Sequence, residues 1–280
     1  MFINFSRIFK KENNIVIGMV HFPPLLGYKN FPGLKVCLKK SLNDAKTLEK
    51  GGVDGIIVEN NYDFPHKIFV GSETITCMTY LTEEIVKSVS VPVGINVLWN
   101  DYKASLSIAK VVGAKFVRVP VFVDSVQTQY GKILAQPKEV ISFRKKIGAS
   151  DVLLFTDIQV KHAKPLERKS ISQSAKEAIK SGSDALIITG KWTGDAPDIS
   201  EVTQARKAVG KKFPILIGSG ATKENVTFLL QYANGVIVGT SLKTGQIRSK
   251  REEVNLKPWH ERISLKKARE FVEIVHRIGR

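Results

Sequence analysis

The sequence predicts a single-domain (β/α)8 TIM barrel of the α/β class, and three observations carry that prediction. Short runs rich in Val and Ile recur about every 30 residues, each followed by a polar or glycine-bearing loop and then by helical periodicity. Eight such units can be counted from one end of the chain to the other. At 280 residues with 43% hydrophobic side chains, the chain also has the size for one large core, since such barrels commonly need about 250 residues.

The strands are expected at Ile15 to Phe22, Gly55 to Glu59, Val91 to Leu98, Phe116 to Val121, Val152 to Val160, Ala185 to Thr189, Pro214 to Gly218 and Gly235 to Gly239. Their near-continuous apolar character suits parallel strands buried on both faces. Helical periodicity falls at Leu38 to Lys50, Glu73 to Val89, Tyr102 to Val112, Pro137 to Ile147, Ile171 to Lys180, Ile199 to Val209 and Lys223 to Tyr232, with a last helix after Ser264. Four connections share a theme as they enter a strand: Gly51-Gly52-Val53-Asp54, Val112-Gly113-Ala114-Lys115, Ser181-Gly182-Ser183-Asp184 and Tyr232-Ala233-Asn234-Gly235. Glycine just past a helix end accepts the left-handed cap conformation. No linker-like tract divides residues 1–280, and an open doubly wound sheet is the alternative architecture for the same alternation.

The segment 1–14 places Phe2, Phe5, Ile8 and Phe9 at helical spacing but has neither a long apolar centre nor a small-residue cleavage site. It is expected to close the barrel floor, and residues 244–263 to form a loop before the last helix. No run reaches the roughly 18 apolar residues of a spanning helix, so membrane insertion is not expected. Cys37 and Cys77 show no paired spacing, which argues against a disulfide framework and fits a reducing cytoplasm. The formal charge of +17 favours anionic partners. Lys and Arg are nevertheless scattered over every helix rather than gathered in a stripe with aromatics, so a solvated surface is expected and nucleic acid is not.

In a barrel the chemistry gathers at the C-terminal strand ends, where residues of one parity point inward. Asp157, Gln159 and Lys161 share a parity, and three polar side chains would be costly to bury against helices. They are therefore placed in the mouth; the alternative is that the strand ends early and leaves Lys161 and His162 in a surface loop. Other strand ends offer His21, Glu59, Asn60, Asn96 and Arg118. Arg118 lies in a run of Val, Phe and Pro, and a buried cation needs an anionic partner, which Asp157 or a substrate could supply.

Two glycine-bearing turns, Gly218-Ser219-Gly220-Ala221-Thr222 and Gly239-Thr240-Ser241-Leu242, follow the seventh and eighth strands. TIM barrels often hold phosphate there, on backbone N–H groups at helix starts. Gly218, Ser219, Gly220, Gly239, Thr240 and Ser241 are the expected phosphate cup, although simple βα turns capped by Thr222 and Asn225 would read alike. The loop Thr189 to Asp195 has two glycine hinges and Trp192, and could close over a substrate. Lys161 and Lys191 are candidate Schiff-base amines only where burial or a second cation lowers their pKa. The five histidines show no metal-ligand spacing, so no cofactor or metal is expected; a hard ion on Glu59, Asp157 and substrate phosphate is the weaker alternative.

Taken together, Ile17-Gly18-Met19-Val20-His21, Gly52-Val53-Asp54-Gly55 running into Val58-Glu59-Asn60, Pro92-Val93-Gly94-Ile95-Asn96-Val97-Leu98, Val160-Lys161-His162-Ala163, Gly218-Ser219-Gly220 and Gly239-Thr240-Ser241-Leu242-Lys243 resemble the BtpA/SgcQ family across nearly the whole chain. The resemblance implies a TIM barrel. It also implies a family with one member tied to photosystem I biogenesis and others encoded among sugar-metabolism genes, and it supplies no settled reaction. Carried over residue by residue, it marks His21, Glu59, Asn60, Asn96, Arg118, Asp157, Lys161 and His162 as pocket residues. Pro120 stands where the family often has Asn, so any hydrogen bond from that Asn is missing here.

The expected function is an isomerase, lyase or hydrolase acting on a phosphorylated sugar or nucleotide-like metabolite. Asp157 or Glu59 would be the base, His21 or His162 the proton donor, with Arg118 and Lys161 facing developing negative charge and Asn60, Asn96 and Gln159 binding substrate. The alternative is a non-catalytic assembly or stability factor for a larger complex. A homo-oligomer is compatible with either.

Overall fold

A computed structural model describes residues 3–247 and 255–278. Eight parallel strands close on themselves: β1 (Ile15–His21), β2 (Gly55–Glu59), β3 (Val93–Asn96), β4 (Phe116–Val119), β5 (Leu153–Ile158), β6 (Ala185–Ile188), β7 (Ile215–Ile217) and β8 (Gly235–Val238), with β8 pairing back onto β1. The α-helices among the described residues are α1 (Ile3–Phe9), α2 (Leu34–Lys50), α3 (Ser72–Ser88), α4 (Tyr102–Val112), α5 (Pro137–Lys146), α6 (Ile171–Lys180), α7 (Ile199–Val209), α8 (Val226–Leu229) and α9 (Leu265–His276). The barrel architecture expected from the alternation is therefore present as one domain, and the open sheet is excluded by closure.

Strand parity separates two apolar layers. Ile15, Ile17, Met19, Ile57, Phe116, Leu153, Phe155, Ile187, Leu216 and Ile237 fill the interior, while Val16, Val20, Ile56, Val58, Val117 and Leu154 face the helices. The interior is a packed core, not a pore. Phe5 and Phe9 of α1 enter it from below, with Phe5 5.6 Å from the Phe155 ring and Phe9 5.9 Å from the Phe116 ring. Gly94 makes room for that packing, because a Cβ there would lie 2.1 Å from the Phe116 ring. Ile8 packs against the same cluster, and Phe2 lies outside the described residues.

The repeated connections have a physical cause at the barrel floor. Asp54 accepts from the Val16 N–H at 2.7 Å, Asp184 from Leu154 at 2.9 Å and Asn234 from Ile215 at 2.9 Å. Each carboxylate or amide thus satisfies a backbone donor at the start of the preceding strand. Gly52, Gly113 and Gly182 take positive φ as expected, whereas Gly235 does not; its Cβ would meet the Ile15 carbonyl at 2.5 Å.

Several boundaries differ from expectation. β3, β4 and β5 stop at Asn96, Val119 and Ile158, two residues early; Pro120 follows β4, and Gln159 turns to φ 50° after β5. α2 begins at Leu34, and α8 spans only Val226–Leu229. An antiparallel sheet of Val126–Thr128, Gly131–Ile133 and Lys164–Pro165, unforeseen in the sequence, is inserted over the mouth between β4 and α6. Of the loop expected at 244–263, residues 248–254 lie outside the described residues, and Ile263 bridges back to Lys243. No helix among the described residues is long and apolar enough to cross a membrane.

Candidate active site

The inward parity that carries Ile17, Met19, Ile57, Phe116 and Phe155 continues, one step higher, into His21, Glu59, Asn96, Arg118 and Asp157. His21 is in register with Glu59, and Glu59 with Asn96. Across the barrel the corresponding places are Thr189, Gly218 and Gly239, which have small side chains or none. Polar tips on one arc and glycines on the other leave a cavity of about 310 Å³.

Most of the residues singled out in the sequence line it: His21, Glu59, Asn96, Arg118, Lys161, His162, Gly218, Ser219, Gly220, Gly239, Thr240 and Ser241. Three do not. Asn60 is buried away from it, its amide donating to Asp63 at 3.2 Å and its oxygen accepting from the Leu98 N–H at 2.7 Å. It staples two loops and has no free edge for substrate. Gln159 is swung out by its left-handed backbone and donates to the Lys169 carbonyl at 2.9 Å; the parity argument fails there because the strand has already ended. Asp157 lies behind Arg118, which grips both its oxygens, Nε at 2.8 Å and a terminal nitrogen at 2.7 Å.

That pair leaves Glu59 as the one carboxylate among the described residues that lines the cavity. Asn96 donates to one of its oxygens at 2.6 Å, and His21 Nε2 stands 3.6 Å from the other. Burial raises the Glu59 pKa, opposed by the charges of Arg118 and Lys161. Burial lowers that of His21 well below the usual range, reinforced by Lys243, Lys40, Lys161 and Arg118. A carboxyl biased toward protonation beside a neutral imidazole is a composition suited to proton transfer. His21 Nδ1 and Asn96 Oδ1 are buried with no protein partner. The pair Glu59 and Asp157 does not fit the hard-ion site raised from the sequence, because Asp157 is engaged by Arg118 and does not reach the cavity.

Lys161 lines the opposite wall. Burial, then the neighbouring Arg118, pushes its amine down to about 8. His162 follows it and accepts from the Thr193 N–H at 3.1 Å through Nε2, while its ring meets Trp192 edge-on at 5.2 Å. Burial, then Lys161, pushes its imidazole down to about 4. The histidine thus fastens the glycine-hinged loop after β6 over the cavity. Lys191 in that loop is exposed and outside the main cavity, which removes it as a Schiff-base candidate.

The glycine turns do more structural work than the sequence indicated. Ser219 Oγ accepts from the Gly190 N–H at 2.8 Å and donates to the Asp195 carbonyl at 2.7 Å, and Ser241 Oγ donates to the Ala221 carbonyl at 3.0 Å. Both hydroxyls tie loops together. Gly220, at φ 67°, abuts Ala196, whose nitrogen would be 2.0 Å from a Cβ. The side-chain cap on Thr222 and Asn225 raised as the alternative does not form; Asn225 instead accepts from the Thr222 N–H at 2.8 Å and donates to the Gly220 carbonyl at 2.9 Å. A four-residue helix and a 3-10 turn (Thr240–Leu242) follow these loops, so little macrodipole is available. What the turns offer an anion is backbone N–H groups and the space above Met19, where Gly239 stands 3.0 Å from the Met19 Cβ at its own virtual Cβ.

Lys243, Tyr62 and Asn61 also line the cavity and were not picked out as site residues. Lys243 ends the block Gly239-Thr240-Ser241-Leu242-Lys243, and that adjacency was the available signal. Tyr62 and Asn61 follow directly on Asn60 and carried none.

With this geometry in view, similarity to known proteins becomes informative. The photosystem I biogenesis protein BtpA of Synechocystis sp. is 39% identical over 236 residues, covering 83% of this chain and 82% of its own. Among solved structures, N-(5'-phosphoribosyl)anthranilate isomerase from Pyrococcus furiosus superposes with a TM-score of 0.55 at 13% identity, over 94% of this chain and 98% of that one. Orotidine 5'-phosphate decarboxylase from Pyrococcus horikoshii does so with a TM-score of 0.57 at 12% identity, over 93% and 99%. At these identities the two enzymes share the barrel fold with this chain. The BtpA family profile matches residues 12–277, and the chain belongs to the BtpA family.

Proposed function

We propose that this chain is an enzyme that performs acid/base chemistry on a small phosphorylated metabolite in the barrel mouth. One observation carries the reading: Glu59 is the only cavity-lining carboxylate among the described residues, set against Arg118, Lys161, Lys243 and Lys257. A low-dielectric hollow with that excess of cations favours an anionic ligand. The solved structures that share the fold include enzymes whose names carry phosphorylated substrates, which is consistent with this choice.

In the proposed reaction Glu59 moves the proton, held in place by Asn96 and relieved by the neutral His21. Lys161, with the Arg118 guanidinium behind it, faces negative charge as it develops, and backbone N–H groups of the turns at Ser219–Gly220 and Gly239–Ser241 anchor the phosphate. Asp157 keeps Arg118 charged and oriented and takes no proton. The name of the Synechocystis relative favours a second reading, a non-catalytic assembly factor, under which the cavity binds no metabolite.

The test is a thermal-shift screen of sugar phosphates and nucleoside monophosphates, in which a ligand at about 100 times its Kd stabilises by about 2.7 kcal/mol. Glu59→Gln is then expected to keep the ligand shift and lose about 100-fold or more in turnover of the hit. Absence of any response across the screen, or wild-type turnover by Glu59→Gln, overturns the assignment; the first outcome favours the assembly reading.

A further inference from the structure

Lys243 is 2% exposed, and among the described residues no carboxylate lies within ion-pairing distance of its Nζ. Its hydrogen-bond partner is neutral: Nζ donates to the Tyr62 hydroxyl at 3.2 Å, and that hydroxyl donates in turn to the Lys257 carbonyl at 2.6 Å. The ammonium also sits 5.2 Å from the centre of the Tyr62 ring. The backbone beneath it is pinned as well, because the Lys243 carbonyl accepts from both Lys257 Nζ and Lys267 Nζ at 2.9 Å. A buried amine fixed this firmly, lining a cavity and lacking a counterion, is costly unless a ligand supplies the charge.

Lys161, half-buried rather than fully enclosed, lines the other side. Its Nζ has no ion-pair partner among the described residues, and the charge nearest in kind is the like charge of Arg118, already neutralised by Asp157. The two residues belong to different walls of the cavity. Lys161 follows β5, whereas Lys243 packs with Tyr62 on the side of β1, β2 and β8, and β1 stands opposite β5 in a closed ring of eight. Glu59 raises the pKa of each amine against the effect of burial, with Asp157 and Asp195 acting likewise on Lys161 and Asp44 on Lys243.

From this arrangement we infer that the metabolite bound in the cavity carries two anionic groups, one held by Lys243 on the Tyr62 side and one by Lys161 on the Arg118 side, with its reacting carbon between them over Glu59. The inference rests on the proposed function and narrows its substrate class to compounds such as bisphosphates or phosphorylated carboxylic acids. Burial, then the nearby Lys40, brings the Lys243 amine down to about 7, and an anion beside it would hold it in the charged form. A single phosphate on the glycine turns would leave one of the two amines uncompensated.

The experiment compares straight-chain α,ω-alkyl bisphosphates of two to six carbons with alkyl monophosphates of the same lengths by isothermal titration at pH 6.5. One bisphosphate is expected to bind the wild-type chain at least about tenfold tighter than its monophosphate partner, the equivalent of one further charge-assisted contact. Lys243→Met should bring that ratio to about one, and Lys243→Arg should retain most of it, which separates loss of charge from loss of fold. No bisphosphate advantage at any length, or an advantage that survives Lys243→Met, overturns the inference. Monophosphates that bind without a bisphosphate advantage would defeat this inference alone, whereas failure of both series would defeat the proposed function with it.

Discussion

Arg118 and Asp157 are buried together, and the energetics of such a pair are asymmetric: removing one partner leaves the other charged in a low-dielectric interior. Arg118→Met is therefore expected to destabilise the fold by about 3–5 kcal/mol in urea unfolding, and Arg118→Met with Asp157→Leu to recover most of that loss. Equal stability of the single and double variants would show that the pair is not coupled as described. The same pairing explains what could be read in the sequence at this scale. A cation in an apolar strand announced a partner, and parity named Asp157. Nothing local showed that both Asp157 oxygens would be consumed, which is why the acid/base role we propose falls to Glu59. Asn60 and Gln159 were misread for one reason each: Asn60 spends its amide on Asp63 and Leu98, and Gln159 adopts a left-handed backbone that ends the alternation on which its placement relied.

The loop after β6 is the element on which access to the cavity depends. It is tied from two sides, by Ser219 to Gly190 and Asp195 and by His162 to Thr193. For His162 to accept the Thr193 N–H through Nε2, that nitrogen must be unprotonated. Its folded pKa is pushed down to about 4 from an unfolded value of about 6.5. The contribution of this contact is thus fully present above about pH 6.5 and is lost as pH falls toward about 4. Hydrogen-exchange protection factors at residues 190–195 should decline across that window in the wild type and be low throughout in His162→Ala. A flat, high profile in both proteins would remove His162 as the fastener. The two glycines of the loop suggested a hinged cover in the sequence. Its anchor did not stand out, because His162 and Thr193 lie far apart in the chain, and the inserted antiparallel sheet was hidden in three strands of two or three residues each.

For the molecule as a whole, the barrel was legible because its parallel strands are nearly all apolar and an Asp or Asn floor contact recurs at three of the entries into a strand. The strand tips then inherit their direction from the packed layer below: whatever follows Met19, Ile57, Phe116 or Phe155 by two residues must point into the barrel. That inheritance is why a polar arc and two glycine turns converge on one cavity, and why the excess of basic residues in the chain becomes chemically relevant there. The convergence is tested most directly by anomalous diffraction from crystals soaked in tungstate, a dense analogue of phosphate. A strong peak is expected inside the barrel mouth, between Lys161 on one wall and the turn at Gly239–Ser241 on the other, and inorganic phosphate should displace it. Peaks confined to the outer helices, with the mouth unoccupied at saturating tungstate, would contradict that convergence.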